Sequence, residues 1–154
     1  MVVDGLPNTS GRSDASTAAS MISTLQIRTT GQGLFEFTAE VAECVRNARV
    51  AEGLCTLFVQ HTSASLLIQE NADPAVLADL QAFLQRLVPE GDPLWTHVAE
   101  GPDDMPSHVR AALTQTHLAI PIVGGALALG TWQGIHLWEH RRRGSVRCVV
   151  VHIA

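Results

Sequence analysis

The chain has 154 residues, 46% hydrophobic and 16% charged, with a formal net charge of −5, which suffices for one domain with a sizeable core and excludes a wholly disordered protein. Its ten cationic side chains are all arginine, so Schiff-base chemistry on a lysine and a lysine-bearing phosphate loop are excluded. The negative balance gives no electrostatic basis for a nucleic-acid or anionic-membrane partner, and the longest uncharged apolar run, Ile120 to Trp138, is too interrupted by Pro, Gly, Gln and His to span a bilayer.

Residues 1–20 are rich in Ser, Thr, Gly, Asp and Ala, a composition that cannot bury enough surface to repay its ordering entropy, and they predict a flexible tail before a folded domain over 21–154. Leu25 and Ile27 alternate with polar neighbours as in a half-buried strand, and Leu34 to Phe37 predicts a second after a Gly31-Gln32-Gly33 turn. Thr38 reads as the N-cap of a helix with Val41, Cys44, Val45 and Ala48 on its apolar face, ended by Gly53. Leu54 to Gln60 and Ser65 to Gln69 predict strands flanking a bend at His61-Thr62-Ser63. Asp73-Pro74 opens the clearest helix, an N-cap followed by proline at the first helical position, with Val76, Leu77, Leu80, Phe83, Leu84 and Leu87 at helical spacing.

A polar stretch from Pro93 to Pro106 is too long for an ordinary connection, and long loops in compact domains are often functional. A short helix from about Ser107 to Gln115 is expected to bury Val109, Ala112 and Leu113. Leu118 to Val123, a Gly124-Gly125 turn, Ala126 to Trp138 and Val146 to Ile153 read as strands. Strands at both ends with helices between them predict an α+β class rather than a doubly wound parallel sheet. Cys44, Cys55 and Cys148 stand singly in apolar surroundings, as buried thiols do in a reducing compartment, and no leader pattern opens the chain, so a cytoplasmic location is expected.

His61 ends a buried strand in QHTSAS, and His97 and His108 flank the acidic segment EGPDDMPSH. A histidine just inside a helix start, as expected for His108, is kept neutral by the helix dipole and suits a ligand or base. His61, His108 and nearby carboxylates form a candidate mixed N/O metal site. Strand alternation sends Gln133, Ile135, Leu137 and Glu139 to one face, where the polar ends Gln133 and Glu139 need hydrogen-bond partners or a ligand. Two glycines in the same run, Gly130 and Gly134, predict a close approach of another backbone or ligand. Arg141 to Arg143 offer planar forks for phosphate or carboxylate. Asn71 and Asp73 are candidate ligand contacts, Asp73 also serving as a cap, and Asp103 and Asp104 are candidate caps of the next helix.

The segments QHTSASLLIQENADP, LVPEGDPLWTHVAEGPDDMPSHVRAAL and IPIVGGALALGTWQGIHLWEHRRRG, in that order, closely resemble the YjbQ-like proteins, also labelled secondary thiamine-phosphate synthase enzymes. The resemblance implies a β-sandwich-like unit of mixed or antiparallel sheets with helices at its side, assembling as a homotrimer. It implies a polar set of His61, Thr62, Ser63, Asn71, Asp73, Asp104, His108, Gln133 and Glu139 gathered around one cleft for a divalent metal, magnesium or zinc, or a small phosphorylated or anionic molecule. The label implies joining of a pyrimidine diphosphate to a thiazole phosphate. Expected catalytic residues are His61, His108, Glu139 and Gln133, ligand contacts Thr62, Ser63, Asn71, Asp73 and Arg141, and metal ligands His61, His108 and Asp104. A metal-dependent hydrolase or lyase on a small phosphorylated substrate and a non-catalytic ligand-binding trimer are the alternatives.

Overall fold

In the computed structural model, which describes residues 20–154, two antiparallel sheets share one core. The tail expected over 1–20 therefore lies outside the described residues, apart from an exposed Ser20. The elements in chain order are β1 (Met21–Arg28), β2 (Gly33–Glu36), α1 (Thr38–Ala48), β3 (Gly53–Val59), β4 (Ala64–Glu70), α2 (Pro74–Leu87), α3 (Asp104–Leu113), β5 (His117–Val123), β6 (Ala126–Leu127), β7 (Gln133–Glu139) and β8 (Val146–Ile153).

One sheet has five strands in the order β1-β8-β3-β5-β6 and the other three in the order β2-β7-β4. Every described pairing is antiparallel. Leu57, Val59, Leu118, Ile120, Val149 and Val151 of the larger sheet meet Ala64, Leu66, Ile135 and Leu137 of the smaller one in a single buried cluster. Period-2 alternation produces this: β5 and β8 bury every second residue, as one-faced strands do. Helix α1 closes one side of the core with Val41 and Val45, behind Phe37. The α+β class and sandwich-like architecture follow.

Several local expectations change. Thr38 is the first helical residue of α1, and its hydroxyl does not cap the helix. It instead donates to Glu36 (2.8 Å) and accepts from the Ile135 N–H (2.8 Å), tying β2 to β7. Helix α1 ends at Arg49, which adopts the left-handed conformation, while Gly53 opens β3. Asp73 does cap α2, accepting from the Ala75 N–H at 2.9 Å. The apolar face of α2 is less buried than its spacing suggests: Leu84 is buried, whereas Phe83 and Leu87 are more than half exposed.

Helix α3 begins at Asp104, three residues before the expected start. That advance carries Pro106 into the first turn, where a missing N–H costs nothing, and turns a different face inward. Asp104, Pro106, Ser107, Arg110 and Ala111 are buried, while Ala112 and Leu113 are exposed and Val109 lies between. The run from Ala126 to Trp138 is two strands in different sheets, β6 and β7, joined by a turn through Gly130. Of the three cysteines, all free, only Cys55 is fully buried.

Candidate functional site

The early start of α3 puts Asp104 and His108 one helical turn apart on the same face, beneath His97 of the preceding loop. Asp104 is 2% exposed, and its two oxygens have different surroundings. Oδ1 accepts from Nη1 of Arg141. Oδ2 lies 2.8 Å from His97 Nε2 and 3.5 Å from His108 Nε2, yet no group donates a hydrogen bond to it. The His108 ring explains half of this: its Nδ1 stands 3.1 Å from the Thr62 carbonyl, which can only accept, so the proton sits on Nδ1 and Nε2 presents a lone pair. A carboxylate oxygen and an imidazole lone pair then face one another, an arrangement that a bound cation, or a proton on the ring, satisfies. His97, Asp104 and His108 place their ligand atoms all within 4.8 Å of one another, and a carbonyl fixing the imidazole tautomer is the usual outer support of a metal ligand. The donor set is nitrogen-rich, which suits zinc or another transition metal better than magnesium.

Beside this trio opens a cavity of about 410 Å³ lined by His61, Ser63, Glu100, Arg141, Arg143 and Arg147. Three arginines line this concavity of small-molecule size: Arg141 and Arg147 are paired with carboxylates, and Arg143 makes no ion pair among the described residues. Arg141 is fixed by Asp103 (3.0 Å) and Asp104, and donates from Nη2 to the Glu100 carbonyl at 2.8 Å. Burial raises the Asp103 carboxyl, but hydrogen bonds from the Arg142 N–H and the Arg141 side chain outweigh it and leave Asp103 below the usual range. His61 Nδ1 accepts the Ser63 N–H at 3.1 Å, so the neutral ring carries its proton on Nε2. Desolvation, then the Arg147 charge, hold His61 below its ordinary value, which favours that neutral form.

Glu139 is fully buried and accepts from Arg147 Nε (2.6 Å) and Nη2 (2.7 Å), the Thr29 hydroxyl (3.1 Å) and the Arg141 N–H (3.0 Å). With four donors on it, it positions Arg147 and the 141 turn and has no lone pair to spare for a substrate proton. Asp103 and Asp104, expected as helix caps, instead hold Arg141, and no side chain caps α3.

The expected polar set does not gather within one chain. β4 and β7 pair Ala64 with Glu139 at one end and Glu70 with Gln133 at the other, six residues or roughly 20 Å apart. His61, Thr62, Ser63, Asp104, His108, Glu139 and Arg141 lie at the first end; Asn71, Asp73 and Gln133 lie at the second. There Gln133 is exposed and accepts the Gly130 N–H (2.8 Å), Asp73 serves as a helix cap, and Asn71 donates to Glu36 (3.2 Å). Thr62 contributes its backbone carbonyl, and His61 stands outside the trio that brings ligand atoms together.

Sequence reasoning placed His97 beside the acidic segment without giving it a role, and did not reach Arg147. The i, i+4 spacing of Asp104 and His108 was the available signal for a helical ligand pair. Arg147 had a period-2 signal: it shares the inward face of β8 with Val149, Val151 and Ile153, where an arginine must have a buried partner.

The sequence pattern of the family described as "UPF0047 protein YjbQ-like" matches residues 23–154. A UPF0047 protein of Synechocystis is 55% identical over 130 residues, covering 84% of this chain and 88% of that protein. The UPF0047 protein YjbQ of Escherichia coli O157:H7 is 41% identical over 128 residues, covering 82% and 92%. The crystal structure of an uncharacterised YjbQ/UPF0047 family protein from Clostridium acetobutylicum superposes with a TM-score of 0.78 at 33% identity, covering 85% of this chain and 98% of that one. None of these three is named for a thiamine-phosphate synthase or for any other activity. On the sequence pattern, the identities and the shared fold together, the chain belongs to the UPF0047, YjbQ-like family.

Proposed function

We propose that the protein is a divalent-metal-dependent hydrolase acting on a small phosphorylated molecule, with His97, Asp104 and His108 as metal ligands and the arginine cavity as the phosphate site. The observation that carries this reading is Asp104, whose one oxygen is held by Arg141 of the cavity while the other, buried and without a donor, faces two imidazoles. A metal there would supply a Lewis acid and lower the pKa of a bound water. The chain's own groups do the rest. Arg143 and Arg147 at the cavity wall, with Arg141, attract and orient the anion. His61, with Nδ1 engaged, offers Nε2–H as a neutral donor to a phosphate oxygen. Glu139 fixes Arg147 so that its fork need not reorganise during the reaction.

Elemental analysis of dialysed, untagged protein tests the centre. Wild type is expected to hold about one transition metal per chain, and Asp104→Asn or His97→Ala/His108→Ala less than about a tenth of that. The same variants are expected to lose phosphate release from a panel of small phosphate esters. Equal metal content in wild type and variants would defeat the assignment.

The transferase that the resemblance implies is a second reading, favoured by one observation: three arginines in a single cavity also suit a diphosphate leaving group. Metal-dependent formation of thiamine phosphate from the pyrimidine diphosphate and thiazole phosphate, faster than phosphate ester hydrolysis, would place it first.

For assembly we propose a homotrimer formed through the outer face of the five-stranded sheet. Ile22, Leu54, Phe58, Val123 and Val146, each at least 40% exposed, support it as an apolar face on a strand framework.

A further inference from the structure

Helix α2 carries two apolar stripes, and the body of the protein takes only one of them. Leu77, Gln81 and Leu84 form the inward stripe: Leu84 is buried, and Gln81 Oε1 accepts from the Trp138 indole N–H at 2.6 Å. Val76, Leu80, Phe83 and Leu87 form the other, where Phe83 is 55% and Leu87 56% exposed. A surface hollow of about 590 Å³ runs along it, lined by Val76, Asp79, Leu80, Phe83 and Arg86, all of this helix. The outer stripe advances by four, three and four residues, the spacing of a coiled-coil seam, in which side chains of one helix seat between those of another. Asp79 and Arg86 are the helix's two charged residues, and both border the seam on the same flank, each one place before a leucine of it. Seven residues separate them, roughly 10 Å along the axis, which is too far to pair with each other, and neither makes an ion pair among the described residues.

We propose that this face of α2 is a self-association surface, on which the same helix of a second copy of the chain packs antiparallel about a two-fold axis. The seam is complementary to itself in that orientation. Leu80 seats against Phe83 of the second copy and Val76 against its Leu87, and the two-fold repeats both layers. The same register brings Asp79 of each copy opposite Arg86 of the other, so the two unpaired charges become two reciprocal ion pairs at the rim. A parallel pair would instead set Asp79 and Arg86 against the opposite flank, where Leu77 and Leu84 are turned toward their own body. The charges thus select the orientation as well as the partner. Four layers from one helix per copy make a contact at the weak end of the interface range, with an expected dissociation constant of about 0.1 mM. It lies on a different element from the exposed sheet face and needs neither that assembly nor the metal centre.

Sedimentation equilibrium of the full chain from about 10 μM to about 1 mM tests the contact, because the rise in mass over that range reports pairing whatever number of copies the sheet face joins at the dilute end. The mass of wild type is expected to rise about 1.6-fold, and that of Phe83→Glu to stay level. Asp79→Arg sets arginine against arginine and Arg86→Asp sets aspartate against aspartate; each should weaken pairing about tenfold or more, and the double reversal Asp79→Arg/Arg86→Asp should return it to within about threefold of wild type. All these positions are on the exposed flank, so circular dichroism should match wild type throughout. A wild-type mass that does not rise, a single reversal that pairs as wild type does, or a double reversal that fails to recover overturns the proposal. Phe58→Glu separates it from the trimer: a rise that persists in this variant upholds the α2 contact, a rise that vanishes assigns the association to the sheet face and ends it, and an unchanged mass at the dilute end counts against the trimer alone.

Discussion

At the scale of single residues, the groups around the arginine cavity are held by full charge pairing, and the energetic consequence is asymmetric. Glu139 and Arg147 are each at most 5% exposed and share two short hydrogen bonds. Removing one charge strands the other in a desolvated place, which costs about 3–5 kcal/mol, far more than the intact pair contributes. Glu139→Gln is therefore expected to lower unfolding free energy by that amount in urea denaturation; a loss under 1 kcal/mol would show that water reaches Arg147. His140 supplies a pH term. It is 1% exposed, its Nε2 lies 2.9 Å from the Ser65 hydroxyl, and burial, then the Arg110 and Arg147 charges, push it from its ordinary 6.5 down to about 3. Between those values the unfolded chain binds a proton that the folded chain refuses. Stability thus falls as pH drops through this window, by up to about 1.4 kcal/mol per pH unit. Burial lowers His136 as well, in the same direction. Urea midpoints from pH 7.5 to 5 should show the decline, and His140→Gln should flatten it.

At the scale of elements, β7 is the central strand of the smaller sheet, with β2 on one side and, on the other, β4, which also bridges Gln115 through Leu66. Gly134 sits where β2 and the β4 end crowd it: an added Cβ would lie 2.8 Å from Glu36 Oε1, 2.9 Å from the Asn71 Cβ and 3.0 Å from the His136 ring. Gly134→Ala is expected to destabilise by about 1–3 kcal/mol through overpacking, measurable as a lower denaturation midpoint; an unchanged midpoint would mean that Glu36 and Asn71 move aside freely. The expected close approach at this glycine was legible from its place in a strand. Helix α2 was equally legible, because Asp73 and Pro74 are local signals and cap the helix in the structure. Helix α3 was not, and the reason is physical. Its N-cap and first turn carry two aspartates and a proline that look like loop residues, and the turn is helical with Arg141, 37 residues away, neutralising Asp104. Asp104 and His108 were expected as ligands together with His61, and with the helix starting at Asp104 it is His97 that joins them.

At the scale of the whole molecule, the two faces of the larger sheet have different fates. The inner one is sealed by the core, while the outer one leaves Phe58 48% and Ile22 70% exposed. Phe58→Glu is expected to convert a trimer to a monomer in light scattering without loss of sheet signal in circular dichroism; a monomeric wild type would remove the proposed assembly. No described helix is long and apolar enough to cross a membrane. The α+β class was readable from the order of strands and helices, while the two-sheet framework was expected only from the family resemblance. The splitting of the polar set was not readable, because strand register decides which end of a sheet a residue reaches, and register is set by the paired strand. That same pairing orders events in time. Strand β8 lies between β1 and β3, with Met21 opposite Ile153 and Cys55 also opposite Ile153. Until residues 146–153 have left the ribosome, the first strand made has no neighbour to join, and an apolar slot stands open in the middle of the sheet. The sheet therefore closes late, by an event that joins residues far apart along the sequence.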